Sequence, residues 1–150
     1  MRWNTGEAVV ERLVKQDHIE QVQGAQADGG PWVERARRGL EAARVIAQTA
    51  PDSSIILAYD AARQACVALL AQQGLRPTTA GGHYAIEEAI RAQFGTTLRA
   101  FGGLRRRRNE LEYPVYPTEQ ADADEAAEAL KTASEIIDAS AQLLPHLGLF

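Results

Sequence analysis

Cysteine occurs once in the 150 residues, so the chain has no internal disulfide. Cys66 lies in the run "QACVALLA", which reads as a packed helix; it is expected to be a buried small hydrophobe in a reducing, cytoplasmic setting. No charged-then-apolar leader opens the sequence. No apolar run reaches membrane-spanning length, because Asp60, Arg63 and Gln64 divide the longest ones, so no membrane association is expected. Strand signals are nearly absent: only "EYPVY" is extended in character, and Pro114 and Pro117 spoil it. Paired His/Cys metal-ligand spacing, a Gly-rich phosphate loop and a Ser/His/Asp grouping are also missing, so neither metal nor cofactor is indicated. Nor is there an excess of positive charge. Lys and Arg number 16 against 20 Asp and Glu, a net charge of -4, so any polyanion site must be local.

What the sequence does have is helical period nearly throughout. With 45% hydrophobic and 24% charged residues, it is expected to form a single domain over residues 1–150. A short helix starts after Thr5, with Val9, Val10, Leu13 and Val14 on its apolar face. Gln23–Pro31 reads as a loop, and Pro31 suits a first helical turn. Trp32, Ala36, Leu40, Ala43 and Ala47 form a second apolar stripe. Asp52 or Ser53 is expected to cap a third helix, from Ser54 to about Gln73, that is apolar nearly all round and therefore central. Gly74 stops it, and "LRPTTAGG" reads as a loop. A fourth helix runs from about His83 through Ile86, Ile90 and Phe94, with a bend or break expected near Gly95 or Gly102–Gly103. The last runs from about Ala121 to Leu144. The expected fold is all-α: an antiparallel bundle of four long helices over residues 31–150, preceded by a short helix and loop in residues 1–30. Trp3 and Trp32 read as packing anchors.

Against this ordinary background stands "LRRRRNELEYPVYP", residues 104–117, which holds four of the 16 basic residues. Phe101, Leu104, Arg108 and Leu111 follow a 3-4-3 spacing, so Arg108 falls on an apolar seam. A guanidinium there needs a partner; Asp60 on the central helix is the first internal candidate. Basic residues near a helix C-terminus also complement its dipole, which accounts for Arg105, Arg106 and Arg107 but not for Arg108. Asn109 and Tyr113 lie four apart and share a face. Pro114 pushes Tyr113 out of helical geometry. Of the three histidines, His18 and His146 read as surface residues. His83 follows Gly81–Gly82 at a helix N-terminus that keeps its imidazole neutral; base, exposed residue and loop partner are all open to it. Tyr59, Asp60 and Arg63 read as an internal network; the alternative is that Tyr59 and Asp60 orient Arg108.

The stretch "RRRRNELEYP" resembles the signature of the HEPN superfamily (higher eukaryotes and prokaryotes nucleotide-binding). "RARRGLEAAR" (35–44) and "LAYDAARQACVALLAQQGLRPTTAGGH" (57–83) are similar to a bacterial group of small all-α HEPN-like proteins. The resemblance covers the chain from about Trp32 onward. The motif is an arginine, usually a following polar residue, and a histidine after four to six positions. By position Arg108 and Asn109 take the Arg–polar pair, and Tyr113 stands where the histidine would be. The resemblance implies a homodimer that cuts RNA without metal, arginines holding the phosphate while the histidine helps the ribose 2′-hydroxyl attack it. A phenol with pKa near 10 is a poor base at neutral pH, so Tyr113 leaves the proton transfer unassigned. The implied alternatives are a ribonuclease of a toxin–antitoxin or defence system, and a non-catalytic module binding RNA, nucleotide or a protein partner through Arg105–Arg108. The first also implies a minimal nucleotidyltransferase partner. Such partners adenylate a tyrosine near the motif, here Tyr113 or Tyr116, although the His-x-Tyr arrangement is missing.

Overall fold

The structure is a computed structural model and describes residues 2–150. Among those residues are six α-helices: α1 (Glu7–Lys15), α2 (Gly30–Ile46), α3 (Pro51–Gln72), α4 (Gly82–Phe94), α5 (Phe101–Glu112) and α6 (Ala123–Leu143). The fold is all-α, as expected. The fourth expected helix is in two pieces, α4 and α5. The break falls at residues 95–100, and Gly102 and Gly103 lie inside the first turn of α5.

The central helix is α3. Ile55, Ala58, Tyr59, Ala62, Cys66, Leu69 and Leu70 along it are wholly buried, each large apolar side chain contributing about 1.5–3 kcal/mol of transfer free energy. Such a helix must be covered on every side, and α2, α5 and α6 cover it. The connection at residues 47–50 turns α3 back antiparallel to α2. Asp52 near the start of α3 meets Ala121 just ahead of α6, while Arg37 of α2 pairs with Asp138 late in α6. Helix α6 thus runs parallel to α3 and antiparallel to α2.

Three readings of the sequence need correction. Neither Asp52 nor Ser53 caps α3, which starts at Pro51 without a side-chain cap. The Asp52 carboxylate instead accepts the Ala121 amide at 2.6 Å, tying the entry of α6 to α3. Leu75–Pro77, read as loop, pairs with Ile19–Gln21 in an antiparallel two-stranded ladder, β2 with β1. Three-residue strands are too short to show a period-two pattern. Helix α3 is also long and apolar enough to cross a membrane, with mean hydropathy 1.4. Asp60 and Arg63 do not interrupt it, and its burial inside the bundle accounts for the composition.

The ladder positions α4. Gly74 ends α3 in the left-handed region (φ +70°) and turns the chain into β2. After β2, a Cβ on Gly81 would lie 2.3 Å from the His18 carbonyl oxygen; only glycine lets the start of α4 pass so close to β1. On α2, Val33 takes the seam position beside Ala36, Leu40 and Ala43. Trp32 is half-buried, with the Arg35 guanidinium 5.7 Å over its ring. Trp3 does anchor: it packs on Phe94 and donates its indole N–H to the Gln93 carbonyl.

Candidate functional site

Helix α5 sorts the arginine block by direction. Arg105 pairs with Glu87 of α4. Arg107 grips the Glu125 carboxylate of α6 with two nitrogens and Glu110 with a third, at 2.9 Å. These two brace α5 against its neighbours, and the carboxylates hold the Arg107 pKa above its usual value. Arg106 is exposed. Arg108 sits on the seam between buried Leu104 and Leu111, where the spacing placed it, with about a fifth of its side chain exposed.

The expected Arg108–Asp60 pair does not form. Asp60 faces Arg63 of its own helix at 3.8 Å, and Arg108 has Glu112 at 3.8 Å and the Asn109 side-chain oxygen at 3.2 Å. At 3.8 Å neither carboxylate is hydrogen-bonded to the nearer Nε. The buried Nε atoms of Arg63 and Arg108 have no hydrogen-bond partner among the described residues. A buried unsatisfied donor costs about 1–3 kcal/mol, so both guanidiniums present unmet demand for an acceptor.

Tyr59 lies close to both. Its buried ring stacks on Phe101 at 5.5 Å, the Arg108 guanidinium lies 5.9 Å from its centroid, and its hydroxyl is 2.8 Å from His83 Nδ1. His83, at the start of α4, stacks alongside at 5.7 Å; its inner edge is turned against Tyr59 while the residue as a whole is exposed. Burial pushes the Tyr59 pKa up to about 12, opposed by Arg63 and Arg108, so the phenol stays protonated. Its hydroxyl both donates and accepts, and so fits either imidazole tautomer.

Partial burial, then the nearby Arg63 and Arg108, hold the His83 pKa below its ordinary value. His83 is therefore neutral at pH 7. The unfolded chain takes up a proton at this residue before the folded protein does. Stability present above about pH 6.5 is thus lost as pH falls through the folded value. We expect His83→Gln to flatten the decline of melting temperature on acidification from about pH 7 to pH 5. An unchanged decline in the variant would remove His83 from this role.

The residues predicted from sequence fare differently. Arg108, Asn109, Asp60 and His83 lie in or beside this cluster. Tyr113 follows the last residue of α5 and is 75% exposed, and Tyr116 is 64% exposed. Neither side chain has a hydrogen bond among the described residues, and the Tyr113 phenol shares no contact with Arg108 of the kind Tyr59 makes. Tyr59 and Arg63 belong at the centre; the sequence offered Tyr59 as a residue that orients Arg108, but Arg63 only as part of an internal network.

The family model for the HEPN domain matches residues 31–143, from the start of α2 to the end of α6. The chain belongs to the HEPN family. No curated protein and no solved structure matches it.

Proposed function

We propose that this domain holds a phosphate of single-stranded RNA on Arg108 and Arg63 and transfers a proton at it through His83, as a metal-independent endoribonuclease of the toxin or defence kind. The observation that carries the reading is the pair of buried, unpartnered arginine Nε atoms flanking the Tyr59–His83 pair. Guanidinium forks suit phosphate oxygens and stabilise the charge that develops on them during attack. When His83 Nδ1–H donates to the Tyr59 oxygen, Nε2 is a free base at neutral pH. It takes the proton of a ribose 2′-hydroxyl as that oxygen forms a bond to the adjacent phosphorus. The bond to the 5′-oxygen breaks, that oxygen takes the proton back from the His83 imidazolium through water, and a 2′,3′-cyclic phosphate remains. His83 thereby occupies the role that Tyr113 fills poorly.

A second reading rests on the other tautomer. If the Tyr59 hydroxyl donates to Nδ1, Nε2 carries the hydrogen and serves as a phosphate donor, which gives binding without cleavage. The accompanying proposals are a cytoplasmic homodimer that brings two Arg108 sites together, and a nucleotidyltransferase partner; the exposure of Tyr113 and Tyr116 supports modification there. The test incubates RNA with the protein at low salt in EDTA. Cleavage by the wild type that is lost in Arg108→Ala and His83→Gln is the expected result. Cleavage undiminished in both variants would end the assignment. Binding without cleavage by the wild type, lost in Arg108→Ala, would establish the second reading.

A further inference from the structure

Five arginines form no ion pair among the described residues: Arg35, Arg38, Arg91, Arg99 and Arg106. Three of them, Arg91, Arg99 and Arg106, surround one cleft of about 200 Å³ at the break between α4 and α5. Its apolar wall is Ile90, Leu98 and Phe101, all buried side chains. Glu87 is its one acidic lining residue, and Arg105 already neutralises that carboxylate. With Glu87 taken up by Arg105, the three unpaired guanidiniums leave the cleft an excess of positive charge that an anion relieves. Gly102, in the first turn of α5, also lines the cleft, and its amide has no backbone partner among the described residues. Apolar side chains and unpaired guanidiniums lining one cleft match a nucleobase attached to a phosphate.

The cleft continues the site already described. His83, Glu87 and Arg91 are four residues apart on one stripe of α4, and Arg105 of α5 meets that stripe at Glu87. Eight residues of helix separate His83 from Arg91, about 12 Å. That is on the order of three nucleotides at the roughly 3.4 Å spacing of a stacked strand.

We propose that this cleft is a second nucleotide subsite, which takes the phosphate and base of a flanking nucleotide of the same RNA strand whose reacting phosphate lies at Arg108. The proposal rests on the reading of Arg108 as a phosphate ligand. Its test measures binding of a labelled RNA dinucleotide and hexanucleotide, in EDTA, to wild type, to Arg91→Ala/Arg99→Ala and to Arg108→Ala. Both cleft arginines are exposed and unpaired, so the double variant should melt with the wild type. The double variant should bind the dinucleotide normally and lose about tenfold or more for the hexanucleotide. Its salt dependence should shallow by about 1.4 in log–log slope, the value for two lost contacts to a single strand. Hexanucleotide affinity in the double variant equal to that of the wild type, with Arg108→Ala still defective, would overturn the subsite and leave the Arg108 reading standing. Undiminished binding by Arg108→Ala would overturn that reading itself, and the subsite with it.

Discussion

Arg108→Ala is expected to lose RNA binding by roughly ten- to a hundredfold while melting close to the wild type, and Arg107→Ala to do the reverse. A hydrogen bond from a charged donor is worth about 1.5–3 kcal/mol, and each 1.4 kcal/mol is a factor of ten in affinity. Arg108 makes no hydrogen bond through its buried Nε, so its removal also deletes an unsatisfied donor and costs the fold little. Arg107 is spent on Glu125 and Glu110. It is a third exposed, so solvent screening limits its worth to about 1 kcal/mol, a fall of about 2–4 °C. The two neighbours share charge and sequence context. They differ only in which way the helix points them. Equal binding losses from both would mean that the block acts as a diffuse cationic patch.

The second large effect lies at Tyr59. Tyr59→Ala removes a wholly buried ring stacked on Phe101 in the middle of the central helix. The expected cost is about 3–5 kcal/mol, or roughly 6–20 °C in melting temperature at about 2–4 °C per kcal/mol. Tyr59→Phe keeps the ring and the stack and removes only the hydroxyl that meets His83. It should retain nearly all the stability and RNA affinity, while the rate of cleavage falls because the imidazole loses the contact that orients it. Thermal melts, binding and cleavage on the same two variants separate these effects. A Tyr59→Phe protein that cleaves at the wild-type rate would reduce Tyr59 to a core residue.

How much of this was legible in the sequence follows from distance along the chain. Arg108 was placed on its seam by the 3-4-3 spacing, and α3 was identified as central by its all-round apolarity, because both are properties of one helix. The Tyr59–His83 contact was not legible: 24 residues and a strand separate the two, and only the β1–β2 ladder and the Gly81 approach bring them together. The partner of Asp60 was misjudged for a local reason, since Arg63 lies one turn away on the same helix. Tyr113 aligned with the histidine of the motif, yet α5 ends at Glu112 and leaves its ring in solvent. The cleft needed Arg91, Arg99 and Arg106 from two helices and their connection, a convergence no single periodicity encodes.

The central claim is that phosphate sits against His83, and its most direct measurement is the pH titration of the His83 imidazole by NMR, with and without a short RNA. In the free protein the pKa should lie below the ordinary value, held there by burial, Arg63 and Arg108. A bound phosphate offsets those two guanidiniums and favours the imidazolium, so RNA should raise it, by about a unit or more for a charge in contact. A His83 titration unmoved by saturating RNA, with the perturbation falling instead on Tyr113 and Tyr116, would contradict the account.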